Sequence, residues 1–213
     1  IYLQFVRDMC VYVSMRRLIR NIAFVALSAL LLAPMGCESG EDVFQSQMDR
    51  IVKYMTSRMK LVSEAEADQS MTGEKLPYYT RCGDAYRHIT NVYRTDRPAK
   101  RIAEGSKITF RYEAYLFESG PANIPFATNN RATGKILAEQ YDLDTTYWDF
   151  SPAVRILGTD PIIKGLELTL PDCAAGDTVY TFMPYEVAYG DRAMGVIAAK
   201  SAVMMVTVID DVE

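Results

Sequence analysis

The sequence predicts an α+β protein: an antiparallel β-sheet wrapped around one short central helix and preceded by a longer amphipathic helix. Three observations predict it. Short runs rich in β-branched and aromatic residues, at 86–93, 107–117, 153–157, 178–183 and 202–209, are bounded by Gly, Pro, Asp or Asn, as sheet strands with tight connections are. A single helix-like piece, 163–168, sits among them. Ahead of them Phe44, Met48, Ile51, Met55, Met59 and Val62 recur at steps of three and four, with Asp49, Arg50, Lys53 and Arg58 in the gaps, which is the stripe of an amphipathic helix over 41–62.

With 213 residues and 49% apolar content, the chain is long enough to bury one good core beside an N-terminal appendage. Its 27 acidic and 23 basic residues leave a net charge of -4, so it lacks the basic footprint that nucleic-acid backbones require. The single histidine, His88, and the cysteines at 10, 37, 82 and 173 fit none of the zinc spacings, and neither metal nor cofactor is expected. His88 alternates with Tyr86 and Thr90 and has no second histidine, so it reads as structural. The acidic pairs Asp142 and Asp144, and Asp210 and Asp211, read as solvated.

From Met15 the chain runs through Arg16, Arg17 and Arg20 into an uncharged apolar stretch, 22–32, and then small residues before Cys37. This is the layout of a secretory signal, and the apolar stretch is well short of the ~20 residues of a membrane-spanning helix. Gly36 before Cys37, and Glu38, Ser39, Gly40, Glu41 and Asp42 after it, resemble the lipobox of bacterial lipoproteins. Pro34 stands where the usual box has leucine, as in the looser boxes of Bacteroidetes. The resemblance implies cleavage before Cys37, acylation of its sulfur, and a lipid anchor on a bacterial membrane of the cell envelope, facing either the periplasm or the surface. The alternative is a plain signal peptide cleaved near Ala33 or Gly36.

Three regions follow: an upstream extension and lipoprotein signal peptide (1–36), an acidic tether with the amphipathic helix and a linker (37–77), and the β-rich domain (78–213). Gly73 and Pro77 mark the linker, 63–77. The helix stripe either docks on its own domain or pairs with a second copy as a homodimer.

Four landmarks in the C-terminal half arrive in one order. They are Ile162-Ile163-Lys164-Gly165-Leu166-Glu167; Ala175-Gly176-Asp177; Pro184 followed by Val187-Ala188-Tyr189-Gly190; and Gly195-Val196-Ile197 leading through Ala198 and Ala199 into the last strand. Upstream, Gly105, the run 108–112 ending in Tyr112, and Glu118-Ser119-Gly120 add a strand and hairpin. The set resembles FKBP-type peptidyl-prolyl cis-trans isomerases over residues 86–212. The first landmark is similar to the family's VIKGWE entry into the central helix, with leucine for tryptophan, and the third to its P-x-x-x-AYG.

Such isomerases need no acid, base or nucleophile. Rotation about a prolyl bond faces ~18–20 kcal/mol, and the twisted amide, having lost charge separation, tolerates an apolar site better than the planar one does. The resemblance implies a desolvated pocket floored by Leu166 and walled by Tyr112, Phe126, Ile162, Ile197 and Met205. The backbone N–H of Ile163 and the Tyr189 hydroxyl would hold substrate carbonyls, and the partners would be proline-containing polypeptide clients.

Several positions depart from the pattern. Met205 replaces an aromatic residue, and Ala198 and Ala199 replace two prolines. The family's Phe-Asp pair is met either by Phe126, without the aspartate, or by Trp148-Asp149-Phe150, with about 20 extra residues, 130–147, between the two candidates. Residues 135–141 of that insertion read as one or two helical turns. These departures leave a second reading open, a catalytically weak FKBP-like chaperone or binding module. Cys82 and Cys173 are either joined in a disulfide or free, Cys173 as a packed thiol.

Overall fold

The computed structural model describes residues 39–213, of which Gly40–Glu213 forms one compact unit. The expected leader, Cys10, and Cys37, the expected lipidation site, lie outside the described residues.

The sheet follows from strict alternation. Eight strands, β1 (Val62–Ser63), β2 (Tyr78–Cys82), β3 (Ala85–Ile89), β4 (Lys107–Phe117), β5 (Ala127–Thr128), β6 (Ala153–Ile156), β7 (Thr178–Met183) and β8 (Ala202–Val212), run in the order β1-β2-β3-β7-β8-β4-β5, with β6 also pairing with β4. All pairs are antiparallel except β1 with β2. Successive side chains of β8 go to opposite faces: Val203, Met205 and Ile209 join one buried cluster and Ala202 and Met204 another. Strand β7 divides in the same way, Val179 and Met183 against Phe182. Both faces of the sheet are therefore covered, and the central strands read as nearly continuous apolar runs because of it.

On the inner face lies the short helix predicted at 163–168, observed as α4 (Lys164–Thr169). Leu166 and Leu170 are buried beneath it, and the Thr169 hydroxyl donates to the Gly165 carbonyl (2.8 Å) and lies 2.9 Å from that of Thr181. Gly165 is required here by space. A Cβ at this position would collide with the Met183 side chain and come within 3.2 Å of the Val187 carbonyl oxygen, so only glycine lets the helix seat on β7.

The outer face is covered by α1 (Gly40–Ser57), whose buried residues Phe44, Gln47, Met48, Ile51 and Met55 form one stripe. They pack with Phe117 and Phe182, and Tyr54 meets Phe117 edge-on with ring centroids 5.4 Å apart. Of the two arrangements open to this stripe, docking on the chain's own sheet is the one present. The helix stops five residues short of Val62. Lys60 takes a left-handed turn (φ 59°), and the Leu61 N–H bonds back to the Met55 carbonyl (3.0 Å), which folds Leu61 into the same cluster.

The stretch read as a linker carries structure. Residues 62–63 pair with β2, and α2 (Glu64–Asp68) begins at Ser63 with a capping box: the Glu66 N–H donates to the Ser63 hydroxyl, and Glu66 accepts from the Ser63 N–H (2.8 Å). The signal was the Ser-x-x-Glu spacing. The strand expected at 86–93 spans only Ala85–Ile89, because the Asn91 side chain bonds Gly176 O and Thr178 N–H and turns the chain away.

His88 is structural, as expected. Its Nδ1 lies 2.8 Å from the Tyr78 carbonyl oxygen, its ring leans on Tyr180, and burial holds its pKa below the ordinary value. The folded state therefore resists protonation that the unfolded chain accepts below about pH 6.5. Stability from this group is present above that pH and lost as pH falls through the lower, folded value. Urea midpoints measured between pH 7.5 and 5 should fall for the wild type, and the slope should flatten in His88→Gln.

Candidate functional site

The candidate site is built on β4, α4 and the segment between β7 and β8. A bulge between Thr109 and Phe110 sets the register in which Phe110, Tyr112 and Ala114 face inward, opposite Ile209, Thr207 and Met205 of β8. Tyr112 is pinned through its backbone. Its N–H donates to Asn129 Oδ1 (2.6 Å), and its carbonyl accepts from the Thr128 hydroxyl (2.8 Å) and the Asn129 N–H (3.3 Å). Asn129, only 3% exposed, also donates to the carbonyls of Phe110 (3.2 Å) and Ser151 (3.0 Å). It thus ties the Tyr112 strand to the chain leading into β6. Asn129 is not among the residues the sequence singles out for the site, although the Asn129-Asn130 pair is a turn and capping signal.

The predicted residues, Ile197 excepted, lie in or against one cluster. Leu166 and Met205 are buried in the inner cluster, and Tyr112, Phe126, Ile162, Ile163 and Tyr189 are half-buried against it. Phe126 meets Tyr189 edge to face, with centroids 6.0 Å apart at 72°. Burial, reinforced by the neighbouring Tyr112, pushes the Tyr189 phenol above its ordinary pKa, so its hydroxyl is a neutral donor at pH 7. Ile163 caps α4 with extended backbone. Ile197 is buried but stands outside that cluster, in a tight hairpin whose ends, Met194 and Ile197, exchange two backbone bonds (2.8 and 3.0 Å).

Phe126, and not the Trp148–Phe150 stretch, stands with Tyr189. Trp148 packs on Phe150 (6.4 Å), and Phe150 lies over Gly134 of the inserted helix, where a Cβ would strike its ring. That helix, α3 (Arg131–Tyr141), is longer than the one or two turns expected. Asn130 caps it by accepting from the Ala132 N–H (3.1 Å), and Glu113 of β4 accepts bonds from Asn130 (3.1 Å) and Thr133. A cleft of about 320 Å³ opens beside Tyr112, bordered by Asn129, Asp149, Ser151 and Arg155 at the end of the insertion.

Cys82 and Cys173 are free thiols; Cys173 is fully buried, and burial pushes it up to about 11. Cys173 is the packed thiol of the two alternatives: it lies in the inner cluster, and its Sγ donates to the Thr169 carbonyl (3.5 Å) and accepts from Arg87 (3.8 Å).

Thr207 faces Tyr112 across the β4–β8 ladder, is fully buried, and its hydroxyl is without a partner among the described residues. An unpaired buried hydroxyl costs about 1–3 kcal/mol. Thr207→Val, equal in shape, should therefore raise the urea unfolding free energy by about 1 kcal/mol; an unchanged or lower value would mean that the hydroxyl is satisfied.

No protein-family model matches the chain, and no curated protein does. Among solved structures it is similar to the three FKBP domains of wheat FKBP73, with 16% identity, 65% of this chain and 52% of that chain covered, and a TM-score of 0.47. The chain thus spans about half the length of that protein.

Proposed function

We propose that this chain is an FKBP-type peptidyl-prolyl cis-trans isomerase that assists the folding of exported proteins. The observation that carries the reading is the meeting, in one apolar cluster, of Tyr112, Phe126, Ile162, Ile163, Leu166, Tyr189 and Met205, residues drawn from five separate segments of the sequence. Low polarity around the prolyl amide favours its twisted form, and each ~1.4 kcal/mol of that preference is tenfold in rate. The Tyr189 hydroxyl and the Ile163 N–H would orient the neighbouring carbonyls, while Leu166 and Met205 keep water away.

The test is a protease-coupled assay on a proline tetrapeptide. Catalysis well above buffer is expected, and Tyr189→Phe should reduce kcat/KM roughly three- to tenfold, the value of one hydrogen bond. A wild-type rate equal to buffer sinks the proposal. It would favour the second reading, a binding or chaperone module, which rests on the exposed Ile136, Tyr141, Leu143 and Tyr147 of the insertion. We also propose an anchor through lipidated Cys37 in a bacterial envelope. Loss of detergent-phase partitioning in Cys37→Ser is expected.

A further inference from the structure

Gln47 lies in the middle of the apolar stripe of α1 and is only 5% exposed. A carboxamide buried among Phe44, Met48 and Ile51 is costly unless both its ends are bonded. Both are. Its oxygen accepts from the Tyr185 N–H (2.8 Å), and its Nε2 donates to the Lys200 carbonyl (2.8 Å).

Those two partners are the neck of the segment that carries Tyr189 and Ile197. The Tyr185 carbonyl accepts from the N–H groups of Ala188 (3.1 Å) and Gly190 (2.8 Å), the residues on either side of Tyr189. The Lys200 N–H donates to the Gly190 carbonyl (3.0 Å) and closes the loop. One carboxamide on α1 therefore grips the two residues, Tyr185 and Lys200, whose other backbone groups hold Ala188 and Gly190 on either side of Tyr189. The backbone there needs such a grip: Lys200 is a non-glycine residue at φ 58°, and Ala188 sits at φ -99°, ψ -105°, outside the regular regions. Tyr185 adds a second tie, its hydroxyl 3.3 Å from the Gly40 carbonyl at the start of α1.

We propose that Gln47 is a positioning residue for the loop 189–197, so that docking of α1 on the outer face sets the shape of the prolyl site. The inference rests on the isomerase reading for its catalytic consequence, but its structural half can be read independently. With both bonds present, Tyr189 is held where its ring meets Phe126. When α1 lets go, the neck loses both its outside partners and the loop is free to move away.

The test compares Gln47→Leu, Gln47→Glu and, as a control for loosened α1 packing, Ile51→Val. Amide exchange and peptide isomerisation are measured at a temperature where all are folded. In Gln47→Leu, protection at Tyr185, Ala188, Gly190 and Lys200 should drop about tenfold or more while amides of β4 and β8 keep theirs, and kcat/KM should fall about tenfold, since small misplacements cost that much or more. Ile51→Val should change neither.

Gln47→Glu supplies a readout that simple destabilisation cannot imitate. A protonated carboxyl can accept from Tyr185 and donate to Lys200 as the carboxamide does, whereas a carboxylate cannot donate. Protection of the neck should therefore be near wild type in acid and be lost toward pH 8. Unchanged protection of the neck in both variants overturns the inference. Should the wild type show no isomerase activity, the exchange data alone decide it.

Discussion

Asp177→Ala should cost about 3–5 kcal/mol of folding stability, the expected penalty for removing one partner of a buried ion pair. The Asp177 side chain is fully buried and that of Arg97 is 14% exposed. Arg97 grips it with two prongs, Nε to Oδ1 (3.0 Å) and Nη2 to Oδ2 (2.6 Å), and the Ala174 N–H donates to Oδ2 as well (2.8 Å). Truncation leaves the Arg97 guanidinium with only the Asp172 carbonyl (3.2 Å) to accept from it, and the buried Ala174 N–H without its carboxylate acceptor.

The pair also joins the long connection before β4 to the turn before β7. In that turn Gly176 adopts φ +80°, and Arg94 occupies the space a Cβ would need. In thermal unfolding followed by circular dichroism, the loss should appear as a Tm lower by roughly 6–20 °C. Asp177→Asn, which keeps the shape and one acceptor, should lose less. A Tm within a degree or two of wild type in Asp177→Ala would mean that Arg97 finds another partner.

Ile51→Ala should cost about 2–5 kcal/mol, the range for deleting a large aliphatic side chain from a packed core. Ile51 is fully buried, midway along the α1 stripe, and faces Phe117 and Phe182. Lys53, two positions on and exposed, supplies the contrast: Lys53→Ala should stay within about 0.5 kcal/mol. Equal, small losses at both positions, measured by urea unfolding, would show that α1 adds nothing to the cooperative unit.

Leu166 and Tyr189 were reached through the resemblance of their surrounding landmarks to a known family, and both lie in or against the inner cluster. The placement of Phe126 was not fixed in this way. Each of two aromatic stretches fitted only in part, Phe126 without the aspartate and Trp148-Asp149-Phe150 too near Gly158, and the packing of Phe150 over Gly134 takes the second away from Tyr189. Gln47 was hidden for a related reason. A polar side chain among apolar neighbours has no periodicity of its own, and its role depends on which backbone groups the fold leaves unpaired.

By itself the amino-acid order determined the α+β class and the amphipathic stripe of α1. Both are written in neighbouring residues, through the periods of helix and strand. Tertiary structure alone decided that the stripe covers the outer face of the sheet, that Phe126 meets Tyr189, and that one carboxamide of the helix clasps the loop beside the site. Those are encounters between segments more than a hundred residues apart in one case and about sixty in another. Such contacts arise from closing the chain on a shared core, which local sequence pattern does not encode.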